Sequence, residues 1–141
     1  MNRDLIFKNQ EHITFFEKNT KDKEFNCYEF SLIYLLGLAE ITRIHFNEIY
    51  SKEEGAKHES ISADWQTEES IRLTVLAFNL YEDYLFGFSE LAYQNKLAYD
   101  FNHEQKGNWE CFIKLNSISN LFSDEKLREF YLQAISLRLD D

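Results

Sequence analysis

The first candidates for chemistry in this sequence are its four histidines and the carboxylates beside them. His45 and Glu48 are three residues apart, a spacing that places two side chains on one side of a helix and that di-iron bundles use as Glu-x-x-His. Here the order is reversed, and no second pair of this kind occurs. The other histidines directly adjoin a glutamate, and adjacent side chains diverge on a helix; they are His12, His58 and His103. We therefore expect no metal site and no metal cofactor.

Motifs for nucleophilic catalysis and phosphate binding are also missing from the sequence. Cys27 and Cys111 form no CxxC pair, and neither has a basic neighbour in the chain that would activate its thiol. There is no GxSxG elbow, and the four glycines are too scattered for a phosphate-binding loop. We assign no catalytic and no cofactor-binding residue, and an enzyme of unrecognised type stays open as an alternative.

The chain is strongly acidic, with a formal net charge of −10 and a pI near 4.8. Such a surface repels nucleic-acid phosphates and anionic lipids at long range, so we expect neither direct nucleic-acid binding nor membrane binding. A basic protein partner is favoured instead. The alternative is that the excess acid serves only to keep the protein soluble.

The polar segment 51–66 is predicted to be a surface loop that contributes the partner-binding residues. Its carboxylates form the acidic part of this predicted surface: Glu53, Glu54, Glu59 and Asp64. Trp65 follows directly and is the predicted anchor, because tryptophan is a frequent hot-spot residue in protein interfaces. Alternatively, Trp65 is a hydrophobic staple for the helix that follows it.

Arg43 and Asn79 interrupt very apolar helical stretches, and buried polar groups need hydrogen-bond partners. We therefore predict a buried polar network of Arg43, His45, Gln66 and Asn79. A pocket shared by Arg43, His45 and Gln66 would instead favour an enzyme.

Composition and periodicity predict an all-α fold. The chain has no proline and only four glycines, the residues that most often interrupt helices. Apolar residues recur at helical spacing from Cys27 to Tyr50, and Asn26 with Glu29 forms a capping box at its start. We predict a single compact domain of about five helices, in which this long central helix packs against a helix at Thr67–Leu85. Further helices are predicted at 9–18, at 89–99 and from the N-cap Ser123 onward, with an ambiguous stretch at 109–122.

The sequence also indicates where the protein acts. Met1–Gln10 contains no apolar signal-peptide region, and the longest apolar run, Leu32–Ala39, is far too short to span a bilayer. We expect a cytoplasmic protein with reduced cysteines. Aromatic residues make up 16% of the chain, so a homodimer built on exposed aromatic side chains is left open.

Several short motifs occur in one order along the chain: Tyr34-Leu-Leu-Gly-Leu38, Thr42-Arg-Ile-His-Phe46, Trp65-Gln-Thr-Glu-Glu-Ser70 and Leu76-Ala-Phe-Asn-Leu-Tyr81. This order resembles an uncharacterised family of small proteins from Gram-positive bacteria, whose members often lie in prophages and other mobile elements. The likeness covers residues 7–85 and 118–139. We therefore expect one domain over 1–141 in which 86–117 is a variable insert.

The family has no assigned activity, so the resemblance carries over no catalytic residue. Its context implies a non-enzymatic, protein-binding accessory factor that acts in the cytoplasm of a bacterial host cell. The concrete form we expect is an anti-CRISPR-like inhibitor of a host effector that targets nucleic acids, acting through the acidic surface. The alternatives are an interaction or regulatory protein with no inhibitory role, and a small enzyme.

Overall fold

The structure, a computed structural model, describes residues 4–21, 24, 26–82 and 124–139. A 3₁₀ helix at His58–Ser62 lies between the strands and the fifth α-helix. The other elements in the described residues are α1 (Gln10–Thr20), α2 (Cys27–Leu36), α3 (Glu40–Ile44), α4 (Phe46–Ile49), β1 (Tyr50–Ser51), β2 (Gly55–Ala56), α5 (Glu68–Glu82) and α6 (Glu125–Arg138).

The prediction of a compact, predominantly helical domain is confirmed. The predicted helix at 89–99, the ambiguous stretch at 109–122 and the predicted insert 86–117 lie outside the described residues. None of the described helices has the length and apolar character that crossing a bilayer requires.

Helix α2 forms the centre of the core. The predicted capping box is present at its start, where the Glu29 N–H donates to Asn26 Oδ1 (3.1 Å) and the Asn26 N–H donates to Glu29 Oε1 (3.4 Å). Every side chain from Ser31 to Ala39 is buried. Helices α5 and α6 both pack against α2, which confirms the predicted pairing of the second helical stretch with the helix that starts after Thr67.

The prediction of one continuous helix from Cys27 to Tyr50 is wrong. Helix α2 ends at Leu36, and the chain turns through Gly37 before α3 and α4 and then enters the strand β1 at Tyr50. The apolar periodicity continues across the turn because both sides of it face the same core. Glycine at this position weakens helix propagation by about 1 kcal/mol relative to alanine, and side chains elsewhere complete the termination.

Side chains cap the carbonyl end of α2. The last carbonyls of a helix have no partner within the helix and need other donors. Two side chains donate to carbonyls of the helix, His12 Nε2 to Tyr34 (2.8 Å) and Thr42 Oγ1 to Leu36 (2.5 Å). Two more donate to carbonyls of the turn that follows, Arg43 Nη1 to Gly37 (2.7 Å) and Lys8 Nζ to Leu38 (3.1 Å). Two of these donors come from α3. The turn is needed to bring α3 to the end of α2, and the hydrogen bonds from α3 in turn stabilise the turn.

Gly37 allows α1 to approach this turn closely. A Cβ at Gly37 would lie 2.7 Å from His12 Cδ2 and 2.8 Å from Phe15 Cδ1, both on α1. A side chain at position 37 would therefore force α1 away from the turn.

Helices α5 and α6 have local start signals. Thr67 caps α5, since the Ser70 N–H donates to Thr67 Oγ1 (3.1 Å). The predicted N-cap of the last helix, Ser123, is wrong by one residue, because Asp124 is the residue whose side chain accepts from the Lys126 N–H (2.9 Å). A carboxylate suits the positive end of the helix dipole.

Arg138 fastens the far end of α6 to α5 and α2. Its Nε donates to the Leu80 carbonyl (2.7 Å), and its guanidinium lies 3.5 Å from the centroid of the Tyr28 ring.

Candidate functional site

The segment between α4 and α5 is more ordered than the predicted surface loop. Strands β1 and β2 pair antiparallel, with Tyr50 opposite Ala56 and Ser51 opposite Gly55. Gly55 has φ 73°, a left-handed conformation that favours glycine, and a Cβ there would lie 3.3 Å from the Tyr81 hydroxyl on α5. The hairpin is therefore held closely against α5, and the 3₁₀ helix follows it.

All seven carboxylates between residues 48 and 69 are exposed. They include every acidic residue assigned to the predicted partner-binding surface. We call this set the acidic segment: Glu48, Glu53, Glu54, Glu59, Asp64, Glu68 and Glu69.

The two lysines of the same stretch already have negatively charged partners. Lys57 Nζ lies 3.3 Å from Glu54 Oε2 and donates to the Asn47 carbonyl (2.8 Å). Lys52 Nζ lies 2.8 Å from an oxygen of Glu29, whose side chain is almost completely buried. The stretch therefore presents a strong excess of negative charge to solvent.

Glu29 joins the hairpin to α2. Its carboxylate accepts hydrogen bonds from the Tyr50 hydroxyl (2.6 Å) and from Lys52 Nζ (2.8 and 2.9 Å). Burial and the hydrogen bond to Glu29 raise the pKa of Tyr50 well above its usual range. Sequence analysis identified only the capping role of Glu29, because its partners lie 21 and 23 residues further along the chain.

The predicted anchor Trp65 stacks on His45. The two rings are parallel to within 2°, and their centroids are 4.1 Å apart. His45 Nδ1 is in turn hydrogen-bonded to the Glu48 carboxylate, and this bond is the main cause that lowers the pKa of Glu48. The Trp65 indole N–H is buried without a hydrogen bond of normal length, but it lies near enough to Glu48 to add to the effect.

Arg43 and His45, two residues of the predicted polar network, form hydrogen bonds with different partners. Arg43 donates to the Gly37 carbonyl, whereas His45 pairs with Glu48 and Trp65. Asn79 is buried on α5, as a member of such a network should be.

Gln66 belongs to a separate group at the start of α5. Its Nε2 donates to the Ser60 carbonyl (3.2 Å) and to Thr74 Oγ1 (3.3 Å), and its Oε1 accepts from the Ser70 hydroxyl. These bonds fasten the 3₁₀ helix to α5. Gln66 therefore positions the acidic segment and does not join Arg43.

His12 is a buried histidine whose role the sequence did not reveal. Its side chain is fully buried; Nε2 donates to the Tyr34 carbonyl (2.8 Å), and Nδ1 accepts from the Lys8 N–H (3.1 Å). These bonds fit the neutral tautomer that carries its proton on Nε2. Burial is the main cause that lowers the pKa of His12 to about 4.

No group of three or more histidine, cysteine, aspartate or glutamate side chains in the described parts of the chain is arranged to hold a metal ion. Arg43 lines a shallow surface cleft, but neither His45 nor Gln66 belongs to its lining. This cleft therefore does not bring together the three residues whose shared pocket would favour an enzyme. Cys111 and His103 lie outside the described residues.

Comparison with known proteins identifies the chain by family. The sequence model of a family of unknown function, DUF6075, matches residues 2–141, so the chain belongs to that family. Neither a curated protein nor a solved structure matches it. The expectation of an uncharacterised family is confirmed.

Proposed function

We propose that this member of the DUF6075 family binds a basic protein through its acidic segment and acts without catalysis. The concrete form of the proposal is an anti-CRISPR-like inhibitor of a bacterial effector that targets nucleic acids. It would be encoded by a prophage or mobile element of a Gram-positive bacterium and act in the cytoplasm of the host cell. The observation that carries the proposal is that seven exposed carboxylates lie within 22 residues, while both lysines among them are ion-paired.

Contacts of Lys57 and Trp65 bring part of the acidic segment together. Lys57 touches both Glu54 and the Asn47 carbonyl, which adjoins Glu48 in the chain. Trp65 lies near Glu48 and stacks on His45. A partner that approaches here would meet carboxylates next to a large aromatic ring, a combination that supports both charge steering and a central hot spot.

Electrostatic complementarity favours an effector that handles nucleic acid. Such proteins expose positively charged channels for the phosphate backbone, and an acidic protein is steered toward them at long range. Occupation of the channel would block the nucleic acid without any chemical step.

The first test compares three immobilised forms of the protein in a bacterial lysate. One is unchanged, and the second carries Glu53→Lys, Glu59→Lys and Asp64→Lys. The matched control carries the same number of reversals at exposed carboxylates outside the acidic segment, namely Asp4→Lys, Glu17→Lys and Glu129→Lys. We expect the unchanged and control proteins to retain one basic, nucleic-acid-binding protein, identified by mass spectrometry, and the acidic-segment variant to lose it. Equal retention by all three would refute the proposed surface.

The second test addresses inhibition. A plasmid that carries a CRISPR target is introduced into a bacterium with an active CRISPR system, with and without this protein. Inhibition predicts many more transformants with the unchanged and control proteins than with the acidic-segment variant. If the partner is retained in the first test but transformant numbers do not change, the binding role stands and the inhibitory role is wrong.

A further inference from the structure

A second surface of the protein has the opposite charge. A shallow cleft of about 130 Å³ lies between the end of α1 and the α3–α4 pair. Its charged lining residues are Lys18 and Arg43, and no carboxylate lines it. In a chain of net charge −10, a cleft whose only charged lining residues are cations departs sharply from the average surface.

The two cations of this cleft have hydrogen-bonding capacity to spare. Lys18 is exposed and forms no ion pair with any described residue. Arg43 donates one hydrogen bond, to the Gly37 carbonyl, and this contact fixes the position of a guanidinium that has five N–H donors. A fixed guanidinium and an exposed ammonium in one cleft are suited to a carboxylate, which the guanidinium can bind through two parallel hydrogen bonds.

The rest of the lining is apolar or amide. Phe15 and Phe46 meet edge to face with ring centroids 5.1 Å apart, and the Ile44 side chain beside them is 67% exposed. Asn19 and Asn47 also line the cleft, and amide side chains can pair with a peptide backbone.

A neighbouring cleft extends this surface. It has a volume of about 210 Å³ and shares Asn19, Phe46 and Asn47 with the first cleft. Its charged lining residues are Lys52, which pairs with Glu29, and Glu53 of the acidic segment, so the unpaired positive charge lies in the first cleft. Each cleft is smaller than the roughly 300 Å³ at which small-molecule pockets begin, and together they form an open groove. A segment of extended chain fits such a groove better than a compact metabolite does.

We infer that this groove binds an acidic peptide segment of a second protein, with a carboxylate on Lys18 and Arg43 and an adjacent apolar side chain on Phe46 and Ile44. Charge complementarity selects the partner: the Lys18–Arg43 end of the groove attracts a carboxylate, whereas the acidic segment, whose Glu53 lines the second cleft, attracts basic chains. The protein would then join two partners of opposite charge. This inference does not depend on the function proposed above.

Selection from a random dodecapeptide library displayed on phage, with the unchanged full-length protein as bait, tests the inference. We expect enriched peptides to combine aspartate or glutamate with a neighbouring leucine, isoleucine or phenylalanine. Enrichment of basic peptides, or no enrichment, would overturn the inference.

Variants then locate the binding site of a synthetic copy of the most enriched peptide. Lys18→Glu should weaken its affinity about tenfold, and Ile44→Ser about threefold. The matched controls on α6, Lys126→Glu and Leu132→Ser, make the same kinds of change at exposed residues away from the groove and should leave the affinity unchanged. Circular dichroism checks that each variant is folded. Equal binding by Lys18→Glu and its control would place the peptide elsewhere and refute the inference.

Two further results would also contradict it. In an NMR titration, inorganic phosphate could shift the amide resonances of the groove while no acidic peptide does so. That result would identify a small-anion site. A dimer that Lys18→Glu dissociates in analytical ultracentrifugation would make the occupant a second copy of the chain. The acidic-segment variant should bind the peptide at least as tightly as the unchanged protein, so failure of one proposal is distinguishable from failure of the other.

Discussion

Acid should destabilise this protein through His12 before most carboxylates titrate. The fully buried ring has a pKa of about 4 in the folded chain, against 6.5 for an unperturbed histidine. Because the folded pKa is the lower one, the unfolded chain binds the proton more readily. The stability that His12 contributes is therefore complete above pH 6.5 and is lost as the pH falls from 6.5 toward 4.

The size of this effect follows from linkage between protonation and folding. The two pKa values predict that the free energy of unfolding decreases by about 2 kcal/mol between pH 7.5 and pH 5 through His12 alone. Below pH 4 the loss reaches a limit of about 3 kcal/mol. Both values are large compared with the total stability of a small domain, which is about 5–15 kcal/mol.

Urea unfolding at pH 7.5 and pH 5 measures the loss. The His12→Gln variant is the control, because it lacks the titrating ring and leaves the other histidines in place. We expect the unchanged protein to lose about 2 kcal/mol more than the variant does over this interval. A direct readout is the NMR titration of the His12 ring in the folded protein. Parallel losses in the two proteins, or a His12 pKa near 6.5, would refute the assignment of His12 as a buried neutral histidine.

Three further changes test the packing. Gly37→Ala should lower the free energy of unfolding by about 1–3 kcal/mol, because the new Cβ would press against His12 and Phe15; an unchanged urea midpoint would contradict the close approach of α1. Glu29→Gln should cost about 1–3 kcal/mol, and more than Lys52→Gln, because the carboxylate is buried whereas the ammonium group is half exposed and can return to water; equal losses in thermal unfolding would argue against this ranking. Asn26→Ala removes the N-cap of α2 and should cost about 1 kcal/mol in urea unfolding, and no loss would mean that the capping box does not stabilise the helix.

Features that depend on near neighbours in the chain were predictable from sequence. The capping box of Asn26 and Glu29 and the cap at Thr67 are contacts across three residues, so their residue types indicate them directly. The same holds for the exposure of the acidic residues, because charged side chains in polar segments rarely enter a core.

Contacts between distant parts of the chain were not predictable. The break after Leu36 depends on donors from α1 and α3, and the periodicity of the chain contains no sign of them. Likewise, the Trp65–His45 stack and the ion pair of Lys52 with Glu29 exist only once the hairpin has folded against the helices. The positive charge of the first cleft arises in the same way, since Lys18 and Arg43 are 25 positions apart in the chain.

The central claim is that the acidic segment is a binding surface. The rate at which the captured basic partner associates with this protein tests that claim most directly. Surface plasmon resonance at several salt concentrations would compare the unchanged protein with the variant that carries Glu53→Lys, Glu59→Lys and Asp64→Lys. We predict that the association rate of the unchanged protein falls steeply as salt increases, and that the variant associates at least about tenfold more slowly at low salt, because steering depends on these charges. Association rates that are equal for the two proteins and insensitive to salt would contradict the claim.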